Sequence, residues 1–291
     1  MRFTVPRQYW GITTIASLRA GDPVDAVFAC ARKDRLTARS GSPYLALEFR
    51  DKSGTIAGRA FRDADVLAGR FEKGDLVRVE GRVERFRDEL QLEVRQVTKA
   101  ESSDPTAFLP VAYRDLDELD GFLEHLSREV HDPAYRGLLD RLLADDGLRA
   151  QWRRAPCTRG GHHAYLGGLL EHTVAVATLA LETCVLHPRL NSDLLVTAAL
   201  VHDLGKTREF AYGAEIALSE AGRMLGHLVL GQQLLESYRG GMPDERWLPL
   251  VHCVLAHHGG DHRPATPEAL ALQRLNALDA SVKGALEHGM P

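Results

Sequence analysis

Along the second half of the chain stand His172, His202-Asp203, His227, His257-His258 and Asp279. Imidazole nitrogens and carboxylate oxygens are the donors that first-row divalent metals prefer. The surroundings of these residues are apolar. His202-Asp203 follows Ala198-Ala199-Leu200-Val201, and Asp279 stands in Leu275-Asn276-Ala277-Leu278-Asp279-Ala280. A carboxylate projecting from a core-facing stretch is costly without a partner, and a bound cation removes that cost. One buried histidine alone is more often a hydrogen-bonded core residue, and one helical aspartate a cap or a solvated charge. The whole set in this order points instead to a preformed metal cavity. Seven donors exceed the need of one site with an open position, so the set predicts two metals.

These side chains must be carried by helices. His172 falls inside a helix through Gly167 to Cys184, and His202-Asp203 in the last turn of one that starts after Ser192. His227 sits in the middle of a helix after Ser219, and His257-His258 ends another just before Gly259-Gly260. Asp279 lies in the helix opening at Thr266-Pro267. Ser192, Ser219 and Thr266 read as N-caps and Gly205 and Gly259 as helix stops, so this part of the chain is expected to be nearly all α.

The first hundred residues have period two instead. Leu45, Leu47 and Phe49 alternate with polar or small residues, as do Val77, Val79 and Val83, and Leu90, Leu92 and Val94. With runs at Val24 to Ala31 and Thr55 to Phe61, this makes five strands, and Asp63 to Ala68 reads as a short helix between the third and fourth. Five strands with a helix in that slot match the OB-fold, a small Greek-key barrel that often binds oligonucleotides. Tyr44, Arg50, Arg59 and Phe61 lie on its two central strands, where aromatic faces beside cations suit sequence-tolerant binding of single strands. Core packing for Phe61 and ordinary surface for the arginines are the plainer alternatives.

The expected organisation is therefore a multidomain chain: an OB-fold over residues 1–100, a linker over 101–112 rich in Ser, Asp and Pro, and an all-α metal domain over 113–291. The net charge of -4 hides a split, with 19 Lys and Arg against 14 Asp and Glu in residues 1–100 and 17 against 26 in the rest. A basic module beside an acidic one fits a polyanion grip next to a cation site. Cys30, Cys157, Cys184 and Cys253 form no CxxC pair, so reduced, buried thiols are expected rather than a zinc ribbon or disulfides. No apolar run reaches 18 residues, and Met1 to Trp10 lacks the layout of a signal peptide. A cytoplasmic protein without membrane partners is expected.

The string Leu200-Val201-His202-Asp203-Leu204-Gly205-Lys206, with Gly168-Leu169-Leu170-Glu171-His172-Thr173 before it, resembles the signature of HD-domain phosphohydrolases. His162-His163-Ala164-Tyr165-Leu166-Gly167-Gly168-Leu169, Gly222-Arg223-Met224-Leu225-Gly226-His227 and Ala256-His257-His258-Gly259 are similar, more closely, to the YhaM-type 3′-to-5′ exoribonucleases. Members of that family place an OB-fold before the HD domain, so the resemblance covers nearly the whole chain. Two departures bear on substrate preference and oligomeric state. The loop Gly260 to Pro267 is short and lacks a Trp-Gly-Ser-Pro element, and the chain stops soon after Asp279.

The resemblance implies that His172, His202, Asp203 and Asp279 hold one metal and that Asp203 bridges to a second, completed by His227, His257 and His258. It favours Mn2+, with Fe2+, Co2+ and Zn2+ as alternatives that suit the same donors. Asp203 and Lys206 would be catalytic, Lys206 by stabilising charge on phosphoryl oxygens. The plainer role for that lysine is a charge partner at a helix end. Arg159, His162 and His163 would meet phosphate or base, with His163 preferred. The implied activity is removal of nucleoside 5′-monophosphates from the 3′ end of single-stranded RNA, with single-stranded DNA as a second substrate. An HD nucleotide phosphohydrolase, or a single-strand-binding protein with a silent HD domain, are the alternatives. The absence of Gly-Tyr-Pro after His257-His258 argues against a cyclic-dinucleotide phosphodiesterase.

Overall fold

The structure is a computed structural model, describing residues 14–38, 41–100, 108–213, 215–260 and 262–289. Met1 to Trp10 and linker residues 101–107 lie outside the described residues. Two compact units emerge, Met1–Pro110 with Tyr212–Glu215, and Val111–Ala211 with Ile216–Pro291.

In the first unit, β1 (Pro23–Thr37), β2 (Pro43–Asp51), β3 (Gly54–Ala60), β4 (Leu76–Phe86) and β5 (Glu89–Lys99) close a barrel in the order β1-β2-β3-β5-β4. β1 pairs antiparallel with both β2 and β4, while β3 and β5 run parallel. That closure, with α1 (Ala64–Ala68) between β3 and β4, is the OB-fold. Alternation along each strand does the sorting: Leu45, Leu47, Phe49, Val77, Val79, Val83, Leu92 and Val94 all point inward and are buried. Burying each such side chain contributes roughly 1.5–3 kcal/mol. The β4–β5 hairpin turns on Arg87 and Asp88, both at positive φ (51° and 67°), the backbone a tight antiparallel turn requires.

The second unit contains α2 (Leu116–Arg128), α3 (Pro133–Leu143), α4 (Asp146–Arg154), α5 (Gly168–Leu186), α6 (Ser192–Val201), α7 (Lys206–Glu209), α8 (Glu220–Tyr238), α9 (Asp244–Ala256) and α10 (Pro267–His288). α5 is long and apolar enough to cross a bilayer by composition. Here it is a core helix, with Leu169, Leu170, Val176, Ala177 and Ala180 buried. Caps set the helix starts. Ser219 Oγ accepts from Gly222 N–H at 2.9 Å and Thr266 Oγ1 from Ala269 N–H at 3.2 Å. The cap of α6 is Asn191 rather than Ser192, because its Oδ1 already accepts from Leu194 N–H at 3.0 Å. A short hairpin, β6 (Phe210–Tyr212) with β7 (Ile216–Leu218), interrupts the expected all-α run. Its strands are too short to show a period. All four cysteines are free and buried.

Candidate metal centre

The end of α6 and the residues after it form the heart of the site. His202 follows the last residue of α6 and Asp203 comes next, both buried at 0% and 1% exposure. Asp203 reaches two ways. Its Oδ2 lies 3.5 Å from His172 Nε2 on α5 and 3.4 Å from His202 Nε2. Its Oδ1 lies 3.4 Å from His257 Nε2 and 3.5 Å from His227 Nε2. Donor atoms of Asp203, His227, His257 and His258 are all within 4.8 Å of one another, and so are those of His172, His202 and Asp203.

Hydrogen bonding at the far side of each ring fixes which nitrogen faces inward. His202 Nδ1 lies 2.8 Å from Ala199 O and His257 Nδ1 2.6 Å from Val254 O. His172 Nδ1 meets Asp279 Oδ2 at 2.6 Å, and His227 Nδ1 meets Glu209 Oε1 at 3.3 Å. These acceptors have no hydrogen to give, so each Nδ1 carries the proton and each neutral ring turns an Nε2 lone pair inward. Lone pair then faces lone pair where His172 Nε2 is 3.2 Å from His202 Nε2, and the His227 Nε2 lone pair lies 2.9 Å from His258 Nε2. Asp203 Oδ1 and His257 Nε2 are buried with no hydrogen-bond partner. Converging lone pairs and orphaned acceptors are repulsive together and are satisfied by cations between them. The donor set therefore fits divalent metal ions.

Two glycines make this convergence possible. A Cβ on Gly205 would stand 2.0 Å from His227 O and 2.5 Å from Gly231 N, so α8 passes close to the His202-Asp203 turn only because that side chain is missing. Gly226 breaks α8 at φ 69°, ψ 164°, one residue before His227. The freed His227 N–H donates to Glu209 Oε1 at 3.1 Å.

Electrostatics favour a fixed anion at the centre. Burial alone would raise the Asp203 carboxyl, but Lys206 and His202 hold it well below the usual range. Lys206, the first residue of α7 and itself buried, places Nζ 2.7 Å from Asp203 Oδ2 and 3.3 Å from Cys157 Sγ. Asp203 raises the ammonium against its desolvation, so Lys206 stays charged. Burial pushes the Cys157 thiol up to about 12. Burial also lowers His202 and His257, keeping the rings neutral and free to ligate.

A cavity of about 500 Å³ opens onto this centre, its wall including Arg159, His162, Lys206, His227, His257 and His258, with Phe210 and Asn276. The ring at the cavity is that of His162, held down at about 4 by burial and so uncharged at neutral pH. His163, the preferred substrate contact in the sequence, is turned inward by a left-handed backbone at φ 51° and is 1% exposed. Its Nε2 is 3.1 Å from Asp279 Oδ2 and its Nδ1 2.9 Å from the Tyr165 hydroxyl. Asp279, expected to share a metal with His172, places Oδ2 2.6 Å from His172 Nδ1, and its donor atoms lie within 4.8 Å of those of His163 and His172. Glu209 and Cys157 carried no sequence signal: the first ends a four-residue helix, and the second is a lone cysteine in a loop.

On the barrel, Tyr44 and Phe61 stack with ring centroids 5.4 Å apart, and Phe61 is 58% exposed. Arg59, half-buried, pairs across from Ala46 near that end of β2. Arg50 stands at the other end of the same strand, also half-buried, with burial lowering its guanidinium. Three of the four barrel residues thus gather at one end, and Arg50 does not join them.

Barrel and metal centre together define a two-domain protein, an OB-fold followed by an HD-type helical domain. Residues 29–100 match the OB-fold nucleic acid binding domain family and residues 169–281 the HD domain family. The chain is similar to proteins named 3'-5' exoribonuclease YhaM. It is 26% identical to that of Shouchella clausii (strain KSM-K16) over 91% of this chain and 85% of the relative. With that of Geobacillus sp. (strain WCH70) it shares 26% over 92% of this chain and 85% of the relative. Among solved structures, the second OB-fold domain of replication protein A from Methanococcus maripaludis is similar over 32% of this chain and 97% of that domain, at 20% identity and a TM-score of 0.26.

Proposed function

We propose that this protein is a metal-dependent 3′-to-5′ exoribonuclease of the cytoplasm that hydrolyses single-stranded RNA to nucleoside 5′-monophosphates, and accepts single-stranded DNA as well. Inward-facing Nε2 lone pairs on both sides of Asp203 are the observation that carries the reading. They support two metals bridged by Asp203, one beside His172 and His202, the other beside His227, His257 and His258. The name of the relatives, 3'-5' exoribonuclease, supplies the polarity and the RNA.

Divalent ions held by these residues, Mn2+ foremost, would activate a water at neutral pH and offset charge on the phosphoryl oxygens. The chain's own residues do the remaining work. Asp203 would offer one oxygen to each site, and Lys206 keeps it anionic while adding positive charge at the cavity wall. Arg159 at the same wall meets a phosphate, and neutral His162 offers a hydrogen bond without adding charge. Tyr44 and Phe61 on the barrel offer a stacking platform to unpaired bases.

Incubating the protein with Mn2+ and a 5′-end-labelled single-stranded RNA should give a shortening ladder and 5′-mononucleotides. Products bearing 3′-phosphates, or cleavage of a circular single strand, would overturn the polarity or the exonucleolytic mode.

A further inference from the structure

Two cavities adjoin α10, and the metal cavity is one of them. The other, also of about 500 Å³, lies between the end of α5 and the start of α10, with His187, Arg189 and Leu190 on one side and Pro267, Leu270 and Ala271 on the other. Its rim is pinned by the backbone: Asn191 N–H donates to Glu268 Oε1 at 2.8 Å, tying the turn before α6 to the first turn of α10. Arg274 borders this cavity and the metal cavity alike. Leu270 on the second wall and Asn276 on the metal wall are about 9 Å apart along the helix axis, at 1.5 Å per residue. The two hollows thus follow one another along α10.

Charge along this line is unusual for the domain. Carboxylates outnumber cations in the helical unit, and many of its cations are matched: Arg149 and Arg153 hold Asp120, Arg246 holds Asp132, Arg239 holds Asp244 and Lys283 holds Glu171. Arg159, Arg189 and Arg274 are exposed and make no ion pair or hydrogen bond with another described residue. Glu268, beside Pro267 at the second cavity, is engaged by the Asn191 N–H. A guanidinium left without a carboxylate in an acidic domain keeps its charge for an outside anion, and its planar fork suits phosphate oxygens. At the second cavity these cations stand beside an apolar wall of Leu190, Leu270 and Ala271. A single strand presents the matching alternation, a phosphate and a base at every step.

We infer that the strand 5′ of the cut runs along α10: a phosphate next to the cut meets Arg274, and a later one meets Arg189 in the second cavity. That cavity is an anchoring subsite of the helical unit itself, additional to the barrel. The inference rests on the exoribonuclease reading above. A strand cut at its 3′ end places its terminal nucleotide in the metal cavity, and all remaining nucleotides must lead away from it. Arg274, shared by both cavities, marks that way out.

The test uses the full chain with Mn2+ and two substrates, a single-stranded RNA decamer and a dinucleotide whose one phosphodiester leaves no phosphate for α10. Arg189→Ala should raise KM for the decamer about 2- to 5-fold, the worth of an exposed ion pair. It should also reduce the slope of log KM against log salt by roughly 0.7, one phosphate contact on a single strand. Arg189→Glu should raise KM further and Arg189→Lys should bring it back near wild type, an order set by charge. Arg274→Ala should raise KM for the decamer in the same way. Dinucleotide cleavage should match wild type in every Arg189 variant, which also shows that fold and metal centre are intact. Equal KM increases on both substrates would overturn the inference, as would a decamer KM indifferent to the charge at position 189. A wild type that cuts neither RNA would instead sink the exoribonuclease reading, and the inference with it.

Discussion

The barrel and the helical unit bury different things. Among the described residues, every buried polar or charged side chain lies in the helical unit, including His163, His172, His202, Asp203, Lys206 and His257. The barrel core is apolar throughout, and its candidate binding residues sit on the outer face of β2 and β3. In the barrel, folding and binding therefore use separate sets of side chains. In the helical unit they use the same set, so the metal chemistry and the stability of the core cannot be altered independently.

The sharpest way to break this comparison is at Asp203. Asp203→Ala should remove the proposed bridge and lower RNA hydrolysis at least about a thousandfold, roughly 4 kcal/mol of barrier. Metal content should fall nearly to zero while single-strand binding through the barrel persists. Elemental analysis and a gel-shift titration on the same preparation check both halves, and retained metal would refute the shared-set view.

Phe49→Ala removes a fully buried ring from the barrel, at a cost of about 3–5 kcal/mol. Chemical denaturation should show the barrel transition moved to lower denaturant, with the metal content of the helical unit unchanged. A parallel loss of metal would mean that the two units do not fold separately.

Tyr44→Ala and Phe61→Ala test the opposite case, a half-buried and an exposed residue outside the barrel core. Each should weaken single-strand binding by about 1–3 kcal/mol per stacked base and leave the unfolding free energy within about 0.5 kcal/mol of wild type. Fluorescence anisotropy with an RNA decamer measures the first and calorimetry the second. Unchanged affinity in both variants would place the binding face elsewhere on the barrel.

A further test is the pH dependence of the metal-free protein. Burial depresses His162 to about 4 and also lowers His202 and His257 below the ordinary 6.5. The unfolded chain therefore takes up these protons first. The stability conferred by the neutral rings is complete above pH 6.5 and is lost as the pH falls towards 4. Urea midpoints should decline across that window in the metal-free protein, and a flat profile there would contradict it.

The candidate metal residues stand out in the sequence because they follow or interrupt apolar helical stretches, where a solvated role is implausible. His202-Asp203 after Ala198-Ala199-Leu200-Val201 is the clearest case. Strand alternation made the barrel equally readable. What stayed hidden depends on orientation rather than residue type. Sequence places Asp279 near His172 but cannot say which nitrogen it will meet, and only the fold shows it on the Nδ1 side. His162 and His163 are identical in kind, and one left-handed backbone angle decides which of them reaches the cavity. Glu209 became visible only through the bond it makes to the backbone of His227.

Gly226 has a consequence for anyone who would make this protein sturdier. It interrupts α8 with torsions that only glycine adopts readily, although a methyl group there would meet nothing within 4 Å. A designer repairing helices would choose this position first, since alanine in place of glycine favours a continuous helix by roughly 0.5–1 kcal/mol. Straightening α8 would return the His227 N–H to the helix and draw its ring away from Glu209 and Asp203. Gly226→Ala should thus give a helix that melts no lower than the native one and a metal centre that binds more weakly, a stabilising substitution whose gain is taken from function.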